Sequence, residues 1–237
     1  LPNTASGYAH GKIILIGEHA VVHHEPAIAI PFTSATVKVT IQETMGESTI
    51  DSIYHHGKLK DIPSSLNNLF ETLEAVCTYF KTTTDNLHLT IQSTIPAERG
   101  MGSSAAVATA LVRALFNYFN AELTDDLLVR FVTISEKIAH GNPSGLDAKV
   151  VGSGQSVFFV VADTGQQGET AEAVKDVGIL LMDITKNAQH YITRLGKLTK
   201  RAHQMIQEKN INELGKILSK AHTKLRKLTV SNDKLDL

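Results

Sequence analysis

Apolar and polar residues alternate in two stretches of the first hundred residues. The stretch ATVKVTIQET places Val37, Val39 and Ile41 at every second position, and LHLTIQSTI, residues 87–95, repeats the pattern. Side chains of a strand point alternately to its two faces, so this spacing predicts two half-buried strands. Together with the apolar run in GKIILIGEHAVV, the alternation predicts a β-rich N-terminal third.

Elsewhere apolar residues recur three and four positions apart, which predicts amphipathic helices. The first such helix follows Ser64 and Ser65, either of which is a candidate N-cap, and a second covers roughly residues 124–140, opening at Thr124. Two C-terminal segments predict a helical hairpin. The apolar positions of these helices are Leu66, Leu69, Phe70, Leu73 and Val76 in the first, and Leu195, Leu198, Ala202, Met205, Ile206, Leu214, Ile217, Leu218, Ala221 and Leu225 in the hairpin.

The pattern also predicts the fold class and a domain boundary. After the strand-like run QSVFFVVAD the chain changes from a mixed pattern to a helical one. We therefore expect an α+β protein with an N-terminal domain over residues 1–158 and a C-terminal domain over 159–237. A chain of 237 residues with 42% apolar residues is long enough for either one large core or two smaller ones.

Composition narrows the function classes. The 23 Lys and Arg residues nearly balance the 24 Asp and Glu residues, so no overall charge favours nucleic acid or an anionic membrane as partner. Residues 186–227 are locally basic, with eleven basic and two acidic residues, and we interpret them as solvated helix faces or as a weak attraction for phosphorylated ligands. The absence of Trp and of a recognised motif argues against a nucleic-acid-binding module.

The single cysteine and the lack of long apolar runs indicate a cytoplasmic protein. Cys77 has no partner for an internal disulfide and is expected to be a reduced thiol in the core. No apolar run reaches the roughly 20 residues that span a bilayer, and the opening LPNTASGYAHGK lacks the apolar block of a signal peptide. We expect neither a membrane span nor export.

The stretch RGMGSSAAVATALVRALF, residues 99–116, combines two glycines and two serines with a following helix. Such an entry exposes backbone N–H groups, and the helix adds the positive end of its dipole, so the turn fits a phosphate. No Lys follows Gly102, which disfavours a Walker A loop. The hydroxyl of Ser103 or Ser104 could coordinate Mg²⁺. The alternatives are that the turn is a plain connector and that the two serines only cap the helix.

Charged residues supply the rest of the candidate chemistry. Glu136 and Asp147 are candidates for a magnesium ligand or a catalytic base. The alternatives are a solvated helix residue for Glu136 and a turn residue for Asp147. Lys12 could stabilise a phosphate or lie extended at a strand edge with its charge in water. Glu18 and His19 follow Lys12 in the chain and are likewise either ligand-binding or structural residues.

Three separated motifs resemble those of the GHMP kinases, and among them the mevalonate kinases. GKIILIGEHAVV resembles the first motif, IPAERGMGSSAAVA the second, and HGNPSGLD a signature that favours mevalonate kinases over galactokinases, homoserine kinases, phosphomevalonate kinases and diphosphomevalonate decarboxylases. The resemblance covers essentially the whole chain. It implies a two-domain GHMP fold with the active site between an N-terminal α/β domain and a C-terminal α+β domain.

The resemblance also implies ATP-dependent phosphorylation of the 5-hydroxyl of mevalonate, with Mg²⁺ as cofactor. Ser104 and Glu136 would hold Mg²⁺, Asp147 would take the proton of the substrate hydroxyl, and Lys12 would lower the pKa of Asp147 and neutralise phosphoryl charge. The implied ATP-binding residues are Pro96, Arg99, Gly100, Met101, Gly102, Ser103, Ser104, Ala105 and Ala106. The implied mevalonate-binding residues are Lys12, Glu18, His19, Asp147 and Thr164.

Two departures from the family pattern qualify these expectations. The third, glycine-rich motif is not found before SNDKLDL, and SVFFVVADTG runs on where the family has a turn and another strand. We therefore expect an incomplete C-terminal domain and residues missing near Phe159; the alternative, a true deletion at that place, would argue against activity. The alternatives to mevalonate phosphorylation are a GHMP kinase for another small alcohol and a non-catalytic binding relative. A homodimer is left open.

Overall fold

The computed structural model describes residues 3–96, 101–140, 170–183 and 187–236. The strands in these residues are β1 (Thr4–Ile16), β2 (Ile28–Glu43), β3 (Thr49–Asp51), β4 (His56–Lys58) and β5 (Leu87–Ser93). The α-helices there are α1 (Asn67–Tyr79), α2 (Ser103–Tyr118), α3 (Asp125–His140), α4 (Thr170–Met182), α5 (Ala188–Gln207) and α6 (Ile211–Lys227). None of these helices has both the length and the apolar character to cross a membrane.

The chain divides into two compact units. The first comprises Leu1–Lys12 and Pro31–Val150, and the second comprises Ile13–Ile30 and Val151–Leu237. Residues 13–30, which the sequence analysis assigned to the N-terminal domain, therefore group with the second unit. The expected boundary at residue 158 lies outside the described residues and stays a prediction.

The sheet has the strand order β1-β2-β5-β3-β4. β2 and β5 pair antiparallel with Val39 opposite Ile91 and Ile41 opposite Leu89, whereas β3 pairs parallel to β5. The alternation that predicted β2 and β5 is confirmed, because Val39, Ile41 and Leu89 are fully buried. Their side chains share one face, which is the face that joins the core of the first unit.

Helices α1, α2 and α3 pack on this face and supply most of the remaining core residues. α2 lies so close to β1 that a Cβ atom at Gly7 would be 2.1 Å from the carbonyl oxygen of Ala110 and 2.3 Å from the amide nitrogen of Ala114. Small residues on both elements therefore allow direct backbone contact. Cys77 is buried in this core as predicted, and burial raises the pKa of its thiol to about 11.

The predicted cap of α1 is wrong. Ser64–Leu66 form a 3-10 turn, and α1 begins at Asn67 with Leu66 as the N-cap residue and no side-chain capping bond. An N-cap serine needs an extended backbone, whereas the two serines lie inside a turn. The opening of α3 at Thr124 is confirmed, because the Leu127 N–H donates to Thr124 Oγ1 at 3.3 Å.

The second unit has a helical core. The predicted hairpin of α5 and α6 is confirmed, and Ile192, Leu195, Ile217 and Leu225 lie in the core of this unit. Helix α4 was not predicted from the sequence as a separate element. The predicted strand over residues 155–163 lies outside the described residues.

Candidate active site

The glycine-serine turn leads directly into α2, as the sequence predicts. Gly102 is the N-cap residue with a φ of 67°, and it has no side-chain cap. The first helical hydrogen bond in this turn runs from the Ala106 N–H to the Gly102 carbonyl at 2.9 Å. The amide groups of Ser103, Ser104 and Ala105 precede that bond, and the first N–H groups of a helix have no partner inside it. This helix start therefore suits an anion.

Lys12 lies against this turn. Its backbone N–H donates to the Met101 carbonyl at 3.0 Å. Its side chain runs across Gly102, because a Cβ atom built there would be 2.9 Å from the Cγ atom of Lys12 and 3.0 Å from its Cε atom. Glycine at residue 102 thus meets two demands, a positive φ and room for the lysine side chain.

A single asparagine connects helices α1, α2 and α3. Asn68, near the start of α1, donates from Nδ2 to the Ser104 hydroxyl at 3.1 Å and to the Ser135 hydroxyl at 2.9 Å. Ser104 belongs to the first turn of α2, and Ser135 is a fully buried residue of α3. The amide therefore fixes one end of α2 relative to the middle of α3.

Glu136 follows Ser135 directly and is only 6% exposed. Mg²⁺ prefers carboxylate and hydroxyl oxygens as ligands, and Glu136 and Ser104 offer one of each. Within the described ranges, no group of three or more His, Cys, Asp or Glu residues could hold a metal. The donor set fits an ion that takes Glu136 and Ser104 from the protein and its other ligands from phosphates and water.

In the second unit, a tight turn presents Glu18 and His19. Gly17 has a φ of 101°, and a Cβ atom there would lie 2.5 Å from the Pro26 carbonyl oxygen and 2.6 Å from the Ala27 Cα atom. His19 has a φ of 60°, which is uncommon for a residue other than glycine. The backbone on both sides of Glu18 is therefore strongly constrained.

Burial changes the pKa of both side chains. It raises the pKa of the Glu18 carboxyl group, an effect that backbone hydrogen bonds at Glu18 and Gly17 and the charge of His222 oppose in part. Burial also lowers the pKa of His19, with a further contribution from His23. Nδ1 of His19 is buried and has no hydrogen-bond partner among the residues that the structure describes. A neutral imidazole at this turn can hydrogen-bond a polar ligand.

Several predicted site residues lie outside the described residues, namely Arg99, Gly100, Asp147 and Thr164. Of the other implied ATP-binding residues, Pro96 and Met101 are the described residues on either side of residues 97–100. Sequence reasoning missed Asn68 and Ser135. An asparagine at a helix start is typical of a cap, so nothing in the local pattern indicates that this amide bonds residues 36 and 67 positions away.

Comparison with known proteins identifies relatives of this chain. Residues 67–155 match the GHMP kinases N terminal domain. The chain is 32% identical to the mevalonate kinase of methicillin-resistant Staphylococcus aureus MRSA252, covering 99% of this chain and 80% of that one with a TM-score of 0.66. It is 27% identical to the mevalonate kinase of Pyrococcus abyssi, over 99% of this chain and 81% of that protein.

A third relative is similar in fold. The mevalonate kinase of L. major, solved in complex with R-mevalonate, has a TM-score of 0.75 at 23% identity, over 99% of this chain and 79% of that one. These matches make the chain a kinase of the GHMP class, a family that uses ATP. Within that class, the chain belongs to the mevalonate kinase family.

Proposed function

We propose that this chain transfers the γ-phosphoryl group of ATP to the 5-hydroxyl of mevalonate, giving 5-phosphomevalonate and ADP, with the residues assigned below. The observation that carries the assignment is the position of Lys12 across Gly102, at the start of α2. A cation and a row of amide donors at one turn suit a polyphosphate. The family relationship supplies mevalonate as the acceptor.

The turn and Lys12 act on the phosphates of ATP. The backbone N–H groups of Ser103, Ser104 and Ala105 donate hydrogen bonds to phosphate oxygens, and the dipole of α2 favours their negative charge. The Lys12 ammonium group adds a positive charge where the transferred group carries the most negative charge. Because these donors are held by backbone geometry, little reorganisation is needed when ATP binds.

Ser104 and Glu136 hold Mg²⁺ in this proposal. When bound, the ion neutralises phosphate charge and fixes the orientation of the triphosphate. The depth of Glu136 and the orientation of the Ser104 hydroxyl by Asn68 support the assignment. Removal of Mg²⁺ with a chelator is expected to abolish phosphoryl transfer.

Asp147 is assigned as the base that accepts the proton of the 5-hydroxyl, with Lys12 lowering its pKa. This assignment rests on the HGNPSGLD motif, since residue 147 lies outside the described residues. Thr164 is assigned to the substrate on the same ground.

Glu18 and His19 are assigned to mevalonate. The L. major relative was solved with R-mevalonate, which makes a carboxylate and two hydroxyl groups the chemistry to be recognised. The neutral imidazole of His19 donates to a carboxylate or hydroxyl oxygen, and Glu18 accepts from a hydroxyl group. The constrained turn after Gly17 supports this assignment because it limits the geometries that both side chains can adopt.

The proposal is tested by an ADP-release assay with mevalonate, phosphomevalonate, galactose and homoserine as acceptors. We expect ADP release with mevalonate and little with the other three. Release with another acceptor in preference to mevalonate would favour a GHMP kinase for a different alcohol. Binding of ATP without release of ADP would favour a non-catalytic relative.

Location and assembly belong to the same proposal. A single buried cysteine supports a cytoplasmic location, since reduced thiols persist there. A homodimer is kept as the assembly to test by light scattering.

A further inference from the structure

The amide of Asn68 donates both of its N–H groups to serines, of which Ser104 is a proposed ligand of Mg²⁺ and Ser135 precedes Glu136. One bond goes to Ser104 Oγ at 3.1 Å and the other to Ser135 Oγ at 2.9 Å. The two acceptors belong to different helices, α2 and α3, and Asn68 itself belongs to a third, α1. An amide nitrogen carries two hydrogens, so its donor capacity is fully used by this pair.

We propose that Asn68 is a positioning residue for the magnesium site. It holds the Ser104 hydroxyl in one orientation and keeps that hydroxyl in register with the α3 segment that carries Glu136. The proposal rests on the proposed function, because it takes Ser104 and Glu136 as the ligands of Mg²⁺. It adds a residue that touches neither the metal nor a reactant.

The hydrogen-bond roles explain how the amide orients Ser104. Nδ2 has no acceptor capacity, so Ser104 Oγ must accept from Asn68. That bond occupies one lone pair, and the other lone pair of the hydroxyl stays directed away from the amide. Rotation of the serine side chain would break the bond, and the hydroxyl is thereby held in one rotamer before any ion arrives.

The bond to Ser135 fixes the amide in turn. Ser135 is fully buried, and Asn68 is half-buried beneath the start of α2. An amide nitrogen that donates to two helices at once has little freedom to turn, so in this proposal a displacement of α2 is transmitted to α3. Residues that orient a metal ligand in this way commonly change metal affinity by about 10-fold to 100-fold when they are removed.

The test measures ADP binding by calorimetry with and without Mg²⁺, which requires no turnover. The wild-type protein is expected to bind ADP more tightly when Mg²⁺ is present. In Asn68→Ala, this Mg²⁺-dependent gain should fall by about tenfold, while binding of ADP without Mg²⁺ changes by less than about twofold. Asn67→Ala is the matched control, because Asn67 is the exposed neighbour on the same helix turn.

A purely structural role gives a different result. In that case Asn68→Ala lowers the melting temperature and leaves the Mg²⁺-dependent gain at the wild-type value, which would overturn the proposal. If Asn68→Ala does not fold, Ser135→Ala decides, because it removes one of the two bonds that hold the amide and leaves Ser104 intact. A folded Ser135→Ala with an undiminished gain would overturn the proposal as well.

The calorimetric test of Asn68 can be interpreted independently of the test of the proposed function. Loss of the Mg²⁺-dependent gain in Asn68→Ala supports the positioning role whichever acceptor alcohol the wild-type enzyme uses. An unchanged gain in a wild-type enzyme that phosphorylates mevalonate rejects only the role of Asn68.

Discussion

The side chain of Lys12 crosses Gly102 so closely that a Cβ atom at residue 102 would be 2.9 Å from the Cγ atom of Lys12. This contact brings together the start of the first motif and the start of α2. It also explains why the second motif has a glycine at that position. The positive φ of 67° alone would favour glycine, and the lysine side chain removes the remaining space.

We therefore expect Gly102→Ala to impair catalysis. The added methyl group displaces Lys12 and forces a non-glycine residue into the left-handed region, which costs about 1–3 kcal/mol. The expected result is a fall of about tenfold or more in kcat/KM for ATP, measured by ADP release at saturating mevalonate. A variant with wild-type kcat/KM would show that the position of Lys12 is unimportant.

Gly7→Ala should destabilise the first unit. The new Cβ atom would be 2.1 Å from the Ala110 carbonyl oxygen, so β1 and α2 must separate. Overpacking of this kind typically costs about 1–3 kcal/mol in the free energy of unfolding, which urea denaturation would measure. Gly215→Ala is the control, because an added Cβ in α6 meets nothing within 4 Å and should be neutral or stabilising. Equal effects of the two substitutions would contradict the packing described for β1 and α2.

Glu18→Gln should stabilise the protein in a pH-dependent way. Burial raises the pKa of Glu18 above its ordinary value of 4.5, so the folded state binds this proton more tightly than the unfolded chain does. The contribution of Glu18 to stability is therefore fully present below pH 4.5 and is lost as the pH rises through the folded pKa. Glutamine mimics the protonated form at every pH.

The variant is thus expected to exceed the wild type in free energy of unfolding at pH 8, with the difference shrinking as the pH approaches 4.5. Its KM for mevalonate should rise, because the acceptor oxygen pair of Glu18 is lost. Glu71→Gln, at an exposed position of α1, is the control and should show neither change. A pH-independent difference between Glu18→Gln and the wild type would contradict a raised pKa of the Glu18 carboxyl group.

Asp147→Asn tests the assigned base. The substitution keeps the size and much of the hydrogen bonding of the side chain but removes its charge. General-base catalysis contributes about 10²-fold to 10⁴-fold, so kcat should fall at least about 10²-fold with little change in ATP affinity. Asp125→Asn, at the exposed start of α3, should keep wild-type kcat. Turnover of Asp147→Asn within a few-fold of wild type would remove the base from the mechanism.

Much of the fold could be predicted from the sequence because its signals are local. Alternation at Val37, Val39 and Ile41 predicted a buried strand face, and three- and four-residue spacing predicted the hairpin of α5 and α6. α4 was not predicted as a separate element, since only the two hairpin segments after residue 163 were assigned as helices. The serines before α1 failed as caps because the backbone forms a 3-10 turn there, which the residue types alone do not reveal.

The site was predictable only in part. Phosphate binding by the glycine-serine turn can be inferred from residue types, since glycine, small side chains and a helix start all favour a phosphate. The bonds of Asn68 join residues that are 36 and 67 positions apart in the chain, and no local pattern specifies them. The change in the pKa of Glu18 likewise depends on burial, which tertiary packing determines.

The central claim is that the phosphoryl group moves from ATP to the 5-hydroxyl of mevalonate. The most direct measurement is ³¹P NMR of the product, with proton coupling retained, after incubation of the enzyme with ATP, Mg²⁺ and mevalonate. We predict a new phosphomonoester resonance split by the two hydrogens on C5, growing in step with ADP. A phosphomonoester without that coupling, as expected for the tertiary 3-hydroxyl, or release of inorganic phosphate alone would contradict the account.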